Sequence, residues 1–231
     1  MSADLAKINA AAAALDYVKD GMTLGLGTGS TAAHFVRLLG ERVRQGLRVQ
    51  GVPTSEATRA QAVAAHVPLL DIERVAKLDL TIDGADEIDP SLRLIKGGGG
   101  ALLREKIIAA ASDHFLIIAD ESKEVDMLGA FPLPIEVTPF GFALAADRIY
   151  RALRACGCGG AEVSLREKGG EPFRTDGGHF ILDAAAKRIP KPEALADALK
   201  RITGVVDHGL FLSMARTAII GKARGVDIRE A

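Results

Sequence analysis

Four segments of the chain concentrate groups that could bind an anion or move a proton. The first is Gly25-Leu26-Gly27-Thr28-Gly29-Ser30-Thr31. Glycines let a backbone approach an anion closely, and a helix start supplies partial positive charge. Thr28, Ser30 and Thr31 add hydroxyls. The segment lacks the Gly-Lys-Ser/Thr ending of a P-loop, and its glycine spacing is not that of the dinucleotide fingerprint. A tight strand-to-helix turn without a ligand fits the same residues. The second segment is Asp83-Gly84-Ala85-Asp86-Glu87. Three carboxylates this close raise one another's pKa unless cations offset them, which suits proton handling on hydroxyl groups. A solvated acidic turn, or oxygen ligation of a hard cation, fits as well.

The third segment is Lys96 followed by Gly97, Gly98, Gly99 and Gly100, then Arg104-Glu105-Lys106. Four consecutive glycines are costly in backbone entropy, so such a run implies a backbone folded tightly around something. Glu105 is expected in the second turn of the following helix, aimed back at the loop. A solvated helix face is the plainer reading. The fourth is Asp120-Glu121-Ser122-Lys123, where Lys123 could meet an anion or simply decorate a surface turn.

Other chemistries find little support. His34, His66, His114, His179 and His208 are scattered and form no H-x-x-x-H pair, so a zinc site is not expected. No Ser sits in a G-x-S-x-G frame. Cys156 and Cys158 are too close for an ordinary disulfide and read as free thiols in a reducing compartment. The net charge of -1 and the scarcity of aromatics give nucleic acid neither a basic face nor a stacking platform. No apolar run approaches the ~20 residues of a membrane span. The first twenty residues lack a signal peptide's apolar centre, so a cytoplasmic location is expected.

These segments need a scaffold. At 48% apolar and 26% charged residues the chain is long enough for one large α/β unit with an appendage. Leu5, Ile8, Ala12, Leu15 and Val18 recur with helical spacing up to Gly21. Strands are expected at 22–26, 48–52, 78–82, 92–95 and 115–119, with helices at 32–45, 55–66 (capped by Ser55) and 101–111. Such alternation implies an α/β fold, a mostly parallel sheet covered by helices on both faces. Ligands of such sheets sit beyond the carboxyl ends of the strands, where all four segments lie. Later the pattern changes. Pro132, Pro134 and Pro139 punctuate the chain. Helices are expected at 142–153 and 192–202, strands at 162–166 and 179–183, and a last strand near 209–215. The division expected is a catalytic domain of residues 1–130 and 206–231 and a small α+β subdomain at 131–205.

Taken together the motifs resemble the A-type ribose-5-phosphate isomerase family. The matching stretches are Gly25–Thr31, Pro53–Glu56, Asp83–Glu87, Lys96–Gly99 with Arg104–Lys106, and Asp120–Lys123, in family order. Pro134–Val137 and Gly204–Phe211 extend the likeness over nearly the whole chain. Two stretches depart from it. The chain has Thr175-Asp176-Gly177-Gly178-His179 where the family often reads Thr-Asp-Asn-Gly-Asn, and Asp207-His208 where it often has Glu-Asn.

The resemblance implies an aldose–ketose isomerase acting on D-ribose 5-phosphate and D-ribulose 5-phosphate, in the non-oxidative pentose phosphate pathway, without metal or organic cofactor. It implies that Thr28, Gly29, Ser30 and Thr31 hold the phosphate. Asp83, Gly84, Ala85 and Asp86, with Lys96, Gly97, Gly98 and Gly99, line the sugar. Lys123 completes the site, and Glu105 is the general base of an enediolate mechanism. Asp83 or Asp86 would move protons during ring opening. Lys96, Lys123 and the amides of the glycine run are the candidates to stabilise the enediolate. A homo-oligomer, commonly a dimer, is implied too. The competing readings are a sugar-phosphate sensor module, which would need no base, and an acyl transfer from coenzyme A with a Glu nucleophile.

Overall fold

The computed structural model describes residues 2–231. The elements run α1 (Ser2–Ala14), β1 (Thr23–Leu26), α2 (Ser30–Arg44), β2 (Gln50–Pro53), α3 (Glu56–Ala64), β3 (Leu78–Asp83), β4 (Glu87–Ile88), β5 (Leu94–Ile95), α4 (Leu102–Ala110) and β6 (Ser112–Asp120). They continue with β7 (Leu133–Val137), α5 (Phe142–Ala155), β8 (Glu162–Leu165), β9 (Glu167–Lys168), β10 (Glu171–Pro172), β11 (Phe180–Ala185), α6 (Pro192–Lys200), β12 (Val205–His208), β13 (Leu210–Phe211), β14 (Thr217–Gly221) and β15 (Val226–Glu230).

The chain divides into two compact units. The first comprises residues up to Ala85, Arg104–Lys123 and Ser213–Ala231; the second comprises Asp86–Leu103 and Glu124–Leu212. This differs from the expected division, because the second unit also takes in residues 86–103, 124–130 and 206–212. There β4 and β5 pair with the late strand β13 in a three-stranded sheet. Pairing between distant parts of the chain leaves no local trace in a sequence.

The first unit holds a six-stranded sheet in the order β15-β14-β6-β3-β1-β2. All its pairs are parallel except β14 with β15. Both faces are covered, and the alternation along β1 shows how. Leu24 and Leu26 pack in one core with Phe35, Val36 and Leu39 of α2. Gly25 points the other way, where an added Cβ would lie 2.6 Å from Ile108 of α4. Every residue of β14 is buried, as a parallel strand covered on two faces requires. The last-strand expectation at 209–215 fails. That stretch supplies only β13, and the first unit's sheet is completed by Thr217–Gly221 and Val226–Glu230. The first helix is regular from Ser2 to Ala14 and ends in a 3-10 turn, Leu15–Tyr17. Position 1, the expected start of that helix, lies outside the described residues.

The second unit carries an antiparallel sheet in the order β12-β7-β11-β8 and the small hairpin β9-β10. Leu133, Ile135 and Val137 of β7 share a core with Ile149 and Leu153 of α5 and with Leu195 and Leu199 of α6. Pro134 and Glu136, on the opposite face of β7, are buried as well. The proline-punctuated stretch is therefore a central strand.

Candidate active site

In the first unit the turn after β1 is anchored from beneath by Asp83. This carboxylate, fully buried at the end of β3, accepts the N–H of Thr28 at 3.0 Å and that of Gly84 at 2.7 Å through Oδ1. Gly27 passes so close that an added Cβ would sit 2.2 Å from Asp83 Oδ1. Gly29 caps α2 with φ +117°, a conformation that favours glycine. The 15-residue helix that follows has no acidic residue in its first turn, so its N-terminal dipole is left uncompensated. Gly29 and Ser30 are exposed there, and Thr31 is buried.

The Thr28 hydroxyl sits in a cluster of hydroxyls from the neighbouring helix start. Its Oγ1 lies 2.7 Å from Thr54 Oγ1, 2.8 Å from Ser55 Oγ and 3.0 Å from Thr58 Oγ1. Thr54 in turn donates to the Leu26 carbonyl and Thr58 to the Gly27 carbonyl. The hydroxyls thus stitch the start of α3 to the glycine turn, and Ser55 caps α3 as expected by accepting from Thr58 N–H. Thr54 lies in the family-like stretch Pro53–Glu56, but the sequence gives neither it nor Thr58 a role. The available signal was the hydroxyl-rich stretch directly after a strand.

Glu105 lies in the first turn of α4, not the second, because the helix begins at Leu102. It is buried at 4% exposure, so it does not belong to a solvated face. Its neighbour Arg104 turns aside to donate to Glu56 at 2.8 Å, and this guanidinium holds the Glu56 carboxyl below its ordinary range. The direction of α4 places Glu105. The Ala111 carbonyl, after its last turn, accepts from Leu78 N–H at the start of β3, and Ile108 packs at Gly25 in β1. One turn earlier, on the same helix face, Glu105 lies toward the carboxyl ends of those strands.

Three strand ends sit side by side at that edge, since β6, β3 and β1 are consecutive in the sheet. Gly84 lies between its neighbours: an added Cβ would be 3.7 Å from the Thr28 carbonyl and 3.9 Å from that of Ile118. Beyond β6, buried Asp120 accepts from Ser122 N–H at 3.1 Å and from the Ser122 hydroxyl, forming the turn that carries half-buried Lys123. Thr28–Thr31, Asp83–Ala85, Glu105 and Lys123 all belong to this unit.

Asp86, Lys96 and the glycine run belong to the second unit. Asp86 Oδ2 accepts from Gly98 N–H at 2.7 Å. Lys96 is 2% exposed, with Nζ 5.5 Å from the Phe211 ring centroid. Glu87 is buried and receives the N–H groups of Gly129 and Phe131. The carboxylate crowding expected from sequence is therefore relieved, as Asp83, Asp86 and Glu87 each face their own backbone donors. The glycine run also has an internal reason. Gly97 (φ +106°) and Gly100 (φ +82°) adopt conformations that disfavour side chains. An added Cβ on Gly98 would lie 2.6 Å from Asp86, and one on Gly100 2.4 Å from the Phe173 ring. Among the described residues no three His, Cys, Asp or Glu side chains cluster as metal ligands, and no helix is long and apolar enough to cross a membrane.

A doubly covered, mostly parallel sheet with a glycine turn at its carboxyl edge and a buried glutamate on an adjoining helix defines an α/β protein of the class whose ligands sit beyond the carboxyl ends of the strands. The chain belongs to the ribose 5-phosphate isomerase A (phosphoriboisomerase A) family, whose pattern it matches over residues 50–225. It is 57% identical over 230 residues to the ribose-5-phosphate isomerase A of Nitrobacter hamburgensis, covering 100% of this chain and 99% of that one. Among solved structures, a D-ribose-5-phosphate isomerase in complex with phospho-erythronic acid superimposes with a TM-score of 0.93 at 38% identity, with both chains fully covered. The ribose 5-phosphate isomerase of Plasmodium falciparum gives 0.91 at 38% identity, over 98% of each chain.

Proposed function

We propose that this protein interconverts D-ribose 5-phosphate and D-ribulose 5-phosphate through an enediolate, with Glu105 as the general base. The observation that carries the base assignment is the burial of Glu105 in the first turn of α4, at the strand edge that also bears the Thr28–Thr31 turn.

In this reading the phosphate docks on the exposed amides of Gly29 and Ser30 and on the hydroxyls of Ser30 and Thr31, with Thr28 holding the turn in shape. Anchoring the far end of the substrate orients its reacting carbons. Glu105 removes the C2 proton of the open-chain aldose. The electron pair of that bond forms C1=C2, and negative charge moves onto O1. The O2 proton passes to O1; as the O2 electron pair then forms C2=O, the C1=C2 pair takes back the proton from the same carboxyl at C1, leaving a C2 ketone and a C1 hydroxyl. A single base serves both carbons if it lies within about 3 Å of each in the productive pose. Lys123, Lys96 and the amides of Gly97–Gly99 are assigned to sugar oxygens and to the developing oxyanion. Asp83 and Asp86 are assigned to the hydroxyl protons exchanged in ring opening. Cytoplasmic action in the non-oxidative pentose phosphate pathway, as a homodimer, belongs to the same reading; light scattering tests the dimer.

The test is Glu105→Gln with ribose 5-phosphate in deuterated water. Loss of both turnover and solvent-proton exchange at the substrate carbons, by about 10²–10⁴-fold, is expected. Exchange at the wild-type rate removes Glu105 from the base role. Running the wild-type assay with and without EDTA tests whether a metal contributes.

A further inference from the structure

The guanidinium of Arg166, just beyond β8, reaches the glycine run of its own unit. Nη1 donates to the Gly97 carbonyl at 2.8 Å and to the Gly98 carbonyl at 3.1 Å. Its other edge meets Asp183 on β11, with Nε to Oδ2 at 2.8 Å and Nη2 to Oδ1 at 2.5 Å. The pair is mostly shielded, at 15% and 22% side-chain exposure. Its backbone is pinned as well. Arg166 N–H donates to Ile181 and its carbonyl accepts from Phe173 N–H. The Phe173 ring lies 5.9 Å from the guanidinium and presses on Gly100.

Two consecutive carbonyls held by one nitrogen fix two consecutive peptide planes. In a trans peptide the N–H points opposite the C=O. The Gly97 carbonyl faces Arg166, and the Gly98 N–H of the same peptide leaves the other side to Asp86 at 2.7 Å. By the same rule, the peptide whose carbonyl is Gly98 sends the Gly99 N–H away from Arg166. Gly98 and Gly99 are exposed, whereas Gly97 and Gly100 are buried. The turn is closed by Gly100 N–H donating to the Gly97 carbonyl at 3.0 Å. Hydrogen bonds in a chain polarise one another, so a cation on the carbonyl strengthens the N–H as a donor.

We infer that Arg166 is a positioning residue of the isomerase: through the Gly97 and Gly98 carbonyls it aims and polarises the Gly98 and Gly99 amides, so that the Gly99 N–H meets an oxygen of the sugar as negative charge develops there. The inference rests on the proposed assignment of the glycine run to the sugar. Asp183 balances the charge of Arg166 and fixes its fork. Lysine cannot replace it, because an ammonium lacks the planar fork that spans a carboxylate and two carbonyls.

The test compares Arg166→Lys and Arg166→Ala with the wild-type protein, measuring kcat and KM for ribose 5-phosphate and the affinity for phospho-erythronic acid. In Arg166→Lys, kcat is expected to fall on the order of 10²-fold, the loss that a misplacement of about 1 Å can cause. KM should change by less than about threefold, because the phosphate turn is untouched. Affinity for phospho-erythronic acid should fall with kcat. A merely structural role would leave the kcat of the folded Arg166→Lys variant normal, and that result overturns the inference while the isomerase reading stands. If Arg166→Ala fails to fold, Arg166→Lys decides alone. Absence of turnover in the wild-type protein strikes the isomerase reading instead.

Discussion

Asp83 Oδ1 accepts the backbone N–H of Thr28 at 3.0 Å, so a side chain at the end of β3 sets the path of the turn that follows β1. The same oxygen also holds Gly84 N–H at 2.7 Å. One buried carboxylate thereby fixes the ends of two adjacent strands, and hydrogen bonds from amides to a charged acceptor are among the stronger kinds.

Asp83→Ala should therefore lower stability by about 1.5–3 kcal/mol, the usual worth of a hydrogen bond to a charged group, and raise the KM for the phosphorylated substrate. Asp83→Asn keeps an acceptor at Oδ1 and should cost less. Urea denaturation of both variants checks the order. Equal stability of Asp83→Ala and the wild type would show that the carboxylate does not hold the turn.

The hydroxyl cluster above that turn gives a second expectation. Thr58 donates to the Gly27 carbonyl at 2.9 Å and is itself buried. Thr58→Val conserves shape but leaves that carbonyl without this donor, at a cost of about 1–3 kcal/mol. On the proposed assignment of that turn to the phosphate, KM should rise with little change in kcat. A kcat loss at constant KM would place Thr58 closer to the chemistry than the turn.

The parallel sheet of the first unit was legible because strands buried on both faces read as apolar runs, as in Leu116–Ala119. The polar segments at their carboxyl ends were legible for the same reason: each interrupts such a run. What sequence could not supply was direction. Three carboxylates at 83, 86 and 87 looked like one acidic cluster, yet each faces different amides. Nor did the sequence show that the Thr28 hydroxyl meets Thr54, Ser55 and Thr58. The four glycines suggested a backbone folded around a ligand, whereas Gly100 is shaped by Phe173, more than seventy positions away in sequence. Contacts of that separation depend on tertiary packing that no local pattern encodes.

That last contact can be tested directly. Gly100 has φ +82°, and an added Cβ would meet Phe173 Cζ at 2.4 Å. Gly100→Ala should combine backbone strain with overpacking and destabilise the protein by about 1–3 kcal/mol. Pairing it with Phe173→Leu should recover the steric part but not the strain. A double-mutant cycle measured by thermal unfolding separates the two. Additive losses would show that Phe173 is not what excludes a side chain at Gly100.

The acid limit of stability has one identifiable contributor in His114, on β6. Its Nε2 lies 3.0 Å from Thr217 Oγ1, and its ring meets Tyr17 edge-on at 6.2 Å. Burial, then the nearby charge of Arg216, push its pKa below the ordinary imidazole value, against a smaller upward pull from Glu230. The folded state thus resists a proton that the unfolded chain accepts. Above the unfolded pKa of about 6.5 both states hold a neutral ring and His114 adds no pH dependence. As pH falls through about 6.5 the unfolded state takes up the proton first, and stability declines until the depressed folded pKa is passed. His114→Gln, which can keep a hydrogen bond to Thr217, should remove this part of the decline. Urea unfolding at about pH 7.5 and about pH 5.5 should show a smaller loss between the two for the variant than for the wild type. Equal losses in the two proteins would mean that the acid sensitivity resides in other groups.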